Sequence, residues 1–198
     1  GFALEHAQVL SEALYRWGRE WRCPVVGGDV ASFAREHPGA GPVTLTVTCV
    51  GTCAPGLAVL RFGARAGDLV FVTGALGGSL ASGRHATFTP RVAEARWLRA
   101  RFAPGELTSM MDVSDGLGID AGRVGVASGV RVVIDVRELP LHAGVRDWRQ
   151  AMGEGEDYEL VFTLSPGAAA RLPASCPETG VAFTRVGEVE GVAGEGAR

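Results

Sequence analysis

The chain has 198 residues, 46% of them hydrophobic, and a formal net charge of −3. That length allows one large domain or parts of two, with enough apolar residues for a core, and the charge gives no ground for a nucleic-acid surface. All 19 basic residues are Arg, which excludes a P-loop or Schiff-base lysine and leaves phosphate contacts to the bidentate guanidinium.

The chain opens in a helix. Ala3, Ala7, Leu10, Leu14, Trp17 and Trp21 recur at three- and four-residue steps, which gives one apolar face. Pro24 ends it. Val25-Val26 reads as a short strand feeding Gly27-Gly28-Asp29, and residues 34–42 read as an exposed loop. Val43 to Val50 alternates apolar with Thr, the pattern of a half-buried antiparallel strand.

A second unit is expected from about Arg61. Asp68 to Thr73 is a compact buried strand, followed by a helix near Leu76–Ser82. Val92, Ala95, Leu98 and Phe102 mark another helix, and Met110–Asp112 a short strand. Leu117, Ala121, Val124 and Ala127 mark the helix after it. Val130–Val136, Tyr158–Leu164 and Phe183–Val189 read as strands, with Tyr158, Leu160, Phe162 and Leu164 on one face. Helices alternating with strands make this unit α/β or α+β rather than all-β.

Cys23, Cys49, Cys53 and Cys176 lack the second pair a zinc site needs, and read as small buried thiols of a cytosolic protein. No stretch approaches the ~20 apolar residues of a membrane span, and no signal peptide is visible. His6, His37, His85 and His142 form no cluster.

Three carboxylate clusters lie beside glycines: Gly27-Gly28-Asp29, then Asp112-Val113-Ser114-Asp115-Gly116, then Gly153-Glu154-Gly155-Glu156-Asp157-Tyr158-Glu159-Leu160. Carboxylates beside closely approachable backbone suit a Mg²⁺–nucleotide site, because Mg²⁺ is held by a few carboxylates plus substrate phosphates and waters. The plainer readings are an ordinary turn at Asp29, a helix N-cap at Ser114 or Asp115, and solvated positions at Asp157 and Glu159. A helix start after Gly116 would also favour phosphate, so capping and ligand binding are compatible there.

The ordered set GGD, RFGARAGDLVFVTG, DVSDG and GEGEDYEL resembles thiamine-monophosphate kinase. That family lies in the superfamily of aminoimidazole ribonucleotide synthetase and selenophosphate synthetase. The resemblance runs from about Gly1 to Glu190. It implies an α+β, two-domain PurM-like architecture. Residues 1–55 would be the remainder of an N-terminal ATP- and metal-binding β domain, residues 61–190 the C-terminal α/β domain, and residues 191–198 a tail. It implies that Gly28, Asp29, Arg61 and Ser114 contact ATP, with Arg65 competing for the arginine role. Asp29, Asp112 and Asp115 would hold several Mg²⁺ ions, and Glu156 would contact thiamine phosphate.

The implied activity is direct phosphoryl transfer from ATP to thiamine phosphate in a cytoplasmic homodimer. The acceptor is an already ionised phosphate, so no strong base is needed. The alternatives are a nucleotide- or thiamine-phosphate-binding module without turnover, or another ATP-using member of the superfamily. Some features depart from the family: Val30 stands where it usually has Thr, and Glu154 where it usually has Gly. The family's N-terminal acidic motif, its histidine near the substrate and its terminal aromatic residue have no counterpart in these residues. The expectation is therefore of a fragment, or of a protein whose remainder lies outside them.

Overall fold

The computed structural model describes residues 4–30 and 44–192. The expected loop at 34–42, and Ala3 and Val43 at the ends of expected elements, lie outside the described residues, as does most of the expected tail. The chain divides into two compact units, residues 1–52 and 53–198.

In the first unit, Leu4–Glu20 forms helix α1, as its spacing predicts. None of its residues is buried. The two strands expected in this unit are not formed. Residues 23–30 and 44–50 have no strand pairing, and Val26 and Val50 are 95% and 90% exposed. Alternation specifies which face a strand would bury, but a strand exists only when a neighbour takes its N–H and C=O groups. No such neighbour is present among the described residues of this unit.

The second unit is built on a five-stranded sheet. The strands are β1 (Leu69–Thr73), β2 (Leu107–Val113), β3 (Val130–Ile134), β4 (Glu159–Leu164) and β5 (Phe183–Gly191). Their order is β2-β4-β1-β5-β3, and every pairing is antiparallel. Helices with a purely antiparallel sheet make the unit α+β. The helices are α2 (Ser79–Ser82), α3 (Val92–Arg101), α4 (Leu117–Ser128), α5 (Trp148–Gly153) and α6 (Pro166–Ala169).

Both faces of the sheet are covered. On one, Val70, Val72, Val113, Val161, Val186 and Val189 pack with Leu117, Ala121 and Val124 of α4 and Ala151 of α5. On the other, Phe71, Phe162, Leu164 and Phe183 pack with Leu98, Phe102 and Ala168. Phe162 stands opposite Phe71 across the β1–β4 ladder, with ring centroids 5.5 Å apart. The predicted apolar row Leu160, Phe162 and Leu164 therefore has its cover, while the intervening Val161 enters the other core. Tyr158 of that row lies ahead of the strand.

Two further expectations change. The helix placed at Leu76–Ser82 is confined to Ser79–Ser82, because Gly77 and Gly78 take left-handed conformations (φ 84° and 71°) ahead of it. Leu76 instead donates to Pro140 O and its carbonyl accepts from His142 N. Of the four cysteines, Cys176 alone is buried; Cys23, Cys49 and Cys53 are exposed. Among the described residues, no helix is long and apolar enough to cross a membrane.

Candidate active site

The acidic turn begins where β2 ends. Val113 is buried while Asp112 is exposed, since successive strand residues point to opposite faces. The chain then swings through Ser114 and Asp115 into α4. Gly116 makes the turn possible. Its φ is 102°, and a Cβ there would lie 2.9 Å from Met152 O.

The expected cap at Ser114 or Asp115 is not made, and Gly116 occupies the N-cap position. Asp120, in the first turn of α4 and fully buried, reaches back instead. Its Oδ2 accepts from the N–H groups of both Ser114 and Asp115 at 2.9 Å. Its Oδ1 accepts from Arg123 Nη1 at 2.7 Å. The same guanidinium holds Asp115 Oδ2 through Nη2 at 2.5 Å. A carboxylate taking two backbone donors and an arginine is fully used, so Asp120 fixes the turn and leaves the side chains of Asp112 and Ser114 free of that task.

The GEGEDYEL segment is tied to this turn through its backbone. Glu156 N donates to Ser114 O at 2.8 Å and Tyr158 N to Val113 O at 2.9 Å. Gly155 is the contact point: a Cβ there would sit 2.5 Å from Ser114 O. Glu156 and Tyr158 both lie in the left-handed region, at φ 68° and 53°, a cost on the order of 1 kcal/mol each that only a held segment retains. Asp157 is buried, while Glu156 and Tyr158 on either side of it are half-buried. Tyr158 OH donates to Glu156 Oε2 at 2.6 Å, and its ring stacks on Phe88 with centroids 4.3 Å apart. The hydrogen bond to Glu156, then burial and the charges of Glu156, Asp112 and Asp115, push the phenol up to about 12. The backbone bonds from Glu156 and Tyr158 to Ser114 and Val113 thus hold the second and third clusters side by side.

The remaining carboxylates of the segment are not solvated, contrary to the sequence expectation. Asp157 is 2% exposed and Glu159 5%. Asp157 accepts from Arg84 Nη2 at 2.6 Å and Gly77 N at 2.8 Å. Burial nevertheless raises its carboxyl above the usual range, against those two donors. Glu159 takes a bidentate pair from Arg91 at 2.7 and 2.6 Å and a hydroxyl from Thr73 at 2.6 Å. Glu154 does not project as a loose charge. Its Oε2 accepts from Gly78 N at 2.7 Å and its Oε1 from Gln150 at 3.0 Å. The 153–159 segment is thereby bolted to the Gly77–Arg91 stretch by three carboxylates. Arg84, Arg91, Asp120 and Arg123 were not singled out by sequence. A carboxylate in the first turn of a helix on its apolar face was the one available signal, at Asp120.

Arg61 is exposed, next to Leu60, whose carbonyl accepts from Met110 N on the outer edge of β2. It is therefore anchored by its neighbour to the strand that delivers Asp112. Arg65 is also exposed; its N–H donates to Asp68 Oδ2 at 2.8 Å. Gly28 and Asp29 belong to the first unit and are exposed there. Neither Gly27 nor Gly28 is needed for space, since a Cβ at either meets nothing within 4 Å. Two cavities of about 160 and 620 Å³ open in the second unit, one beside Phe62 and Arg99 and one beside Val133 and Arg185. Neither is lined by Asp112, Ser114, Asp115 or Glu156. Asp112 and Asp115 are exposed, and Ser114 and Glu156 are half-buried.

No family model matches the chain. Individual proteins do. A hydrogenase maturation protein of Escherichia coli, HypE, superposes at TM-score 0.53 with 19% identity, over 68% of this chain and 47% of its own. That likeness shows a shared PurM-like α+β fold. The sequence relationship is narrower. The chain is 33% identical to the thiamine-monophosphate kinase of Rhodopirellula baltica over 202 residues, 97% of this chain. The thiamine-monophosphate kinase structure from Aquifex aeolicus superposes at TM-score 0.53 with 29% identity, over 67% of this chain and 50% of its own. The chain is thus similar to thiamine-monophosphate kinases. It spans about three fifths of the length of the curated relatives it matches, 59% of the first.

Proposed function

We propose that the protein phosphorylates thiamine phosphate to thiamine diphosphate, with ATP as donor and Mg²⁺ as the neutralising ion. The observation that carries this reading is the backbone lacing of Glu156 and Tyr158 to Ser114 and Val113. It holds the acidic turn beside Glu156, which supports a reading with the turn on the donor side and the glutamate on the acceptor side. Asp112 and Asp115, with Asp29 of the first unit, would hold Mg²⁺. Ser114, Gly28 and Arg61 would contact ATP, and Glu156 the acceptor.

The donor set fits the ion. Asp112 is exposed and the Asp115 side chain is half exposed. Among the described residues no three potential ligands form a ready cluster. Mg²⁺ completes its shell with phosphate oxygens and water, so two carboxylates on an open face suit it better than a closed cage would. When bound, the ion would offset the charge of two crowded phosphate groups. The chain's own residues then orient them in line, since transfer between phosphates depends mainly on position and charge. The relatives' names and the order of the four motifs support the same reaction.

The first unit is proposed as the remainder of an N-terminal domain of a homodimer, and the four free cysteines fit a cytoplasmic protein. A binding module without turnover is the second reading, favoured by the Asp115–Arg123 ion pair, which a metal would have to displace. The test is to incubate the full-length protein with Mg-ATP and thiamine phosphate and to separate the products by chromatography. Equimolar ADP and thiamine diphosphate are expected. Binding of both ligands without product would select the second reading.

A further inference from the structure

We propose that Tyr158 is a positioning residue of the acceptor subsite, acting through Glu156; the inference rests on the reading that Glu156 faces thiamine phosphate. A half-buried glutamate without a partner still samples several rotamers, and ordering it at the moment of binding costs entropy. Here that cost is met beforehand. The Tyr158 hydroxyl holds Glu156 Oε2 at 2.6 Å, while Oε1 has no hydrogen-bond partner among the described residues. The phenol ring is in turn held by its stack on Phe88.

The backbone beneath is fixed at three points. Ser79 Oγ donates to Glu156 O at 2.6 Å, and the N–H groups of Glu156 and Tyr158 are spent on Ser114 and Val113. Asp157 between them is anchored to Arg84. Two half-buried side chains with left-handed backbones are thus locked toward each other across a buried one. Among the described residues, Tyr158 belongs to neither core cluster, and its hydroxyl has the glutamate as its single partner. The chemistry recognised is that of a donor group on the acceptor substrate, which Glu156 Oε1 would accept in a fixed place.

The test is Tyr158→Phe in the full-length protein, a change that keeps the ring stack and removes only the hydroxyl. KM for thiamine phosphate should rise about tenfold, the size of one lost hydrogen bond to a charged group. KM for ATP, kcat and the melting temperature should stay within about twofold and a few degrees of wild type. Adding Tyr158→Phe to Glu156→Ala should cost nothing more, because a residue that acts through another has no effect once that other is gone. Equal losses for both substrates, an additive double variant, an unchanged KM, or a Phe variant that fails to fold would each overturn the assignment. Calorimetric binding of thiamine phosphate runs alongside. A wild-type protein that binds it without turnover sinks the kinase reading, yet still reports whether Tyr158→Phe weakens the acceptor.

Discussion

The two units contain equally clear hydrophobic patterns and use them differently. In the second, Val72 and Val161 are 0% and 1% exposed within a sheet that has a core on each face. In the first, Val26 and Val50 are almost fully exposed, and α1 buries nothing. Periodicity states what a segment could bury. Whether it does so depends on a partner elsewhere in the chain or beyond it, and a helix can form without one where a strand cannot. The second unit holds its partners within itself, and it also holds two of the three acidic clusters.

The sharpest way to break this contrast is to ask which unit carries the chemistry. Asp112→Asn should lower turnover of the full-length protein about a thousandfold, because it removes the charge proposed to hold Mg²⁺ at the transferring phosphate. Its melting temperature should not move. Asp29→Asn, the other proposed metal ligand to be measured, should also lower turnover. Full activity in Asp112→Asn would take the acidic turn out of the reaction. Full activity in Asp29→Asn would remove Asp29 from the proposed ligands.

A second test concerns what holds the acidic clusters in place. Glu159→Gln leaves the Arg91 guanidinium, whose side chain is 19% exposed, without its bidentate counter-ion. Losing one partner of a buried pair costs ~3 kcal/mol, so the denaturant midpoint of the second unit should fall clearly. A midpoint unchanged by Glu159→Gln would mean that the pair is solvated in solution, as the sequence alone suggests.

The ion pairs explain where reading the sequence ran out. Strand β1 and the helices α3 and α4 are legible because Leu69–Thr73 is a compact apolar run and a period of 3.6 survives in Val92–Arg101 and Leu117–Ser128. Six-residue α5 carries too few turns for a period to show. Asp157 and Glu159 look like surface charges because their arginines lie 73 and 68 positions away, and separation along the chain holds no trace of that closeness. The acidic turn itself was legible as a motif, but not its capping by Asp120, which displaced the expected Ser114 or Asp115 cap. Three exposed cysteines were misplaced for the same reason as the two strands: burial was inferred from residue type without a covering partner.

Limited proteolysis extends the comparison. With trypsin acting on the 198-residue chain, the exposed Arg16, Arg19 and Arg22 of the first unit should be cut tens of times faster than sites between Leu69 and Gly191. Few buried contacts mean a low free energy of local opening. A persistent fragment containing the whole sheet is expected. First cleavage within β1 or β4, with α1 intact, would reverse the assignment of stability between the units.

The smallest effect is spectroscopic. The chain has two tyrosines, Tyr15 in α1 and Tyr158 against Glu156. In a Tyr15→Phe background, with a chelator to exclude metal, phenolate absorbance reports Tyr158 alone. Its midpoint should lie near 12. The hydrogen bond to Glu156 favours the neutral phenol, and the charges of Glu156, Asp112 and Asp115 oppose a new negative charge beside them. The sign follows from linkage. A phenol whose folded value exceeds its unfolded value near 10 binds its proton more tightly in the folded state. The resulting stabilisation is whole below pH ~10 and is lost as pH rises toward 12. Glu156→Gln removes the leading cause and should bring the midpoint down toward the ordinary value, whereas Asp112→Asn should lower it less. An unshifted midpoint in the parent protein would mean that Tyr158 does not hold Glu156 in solution, and that the acidic clusters are looser than the strand ends that carry them.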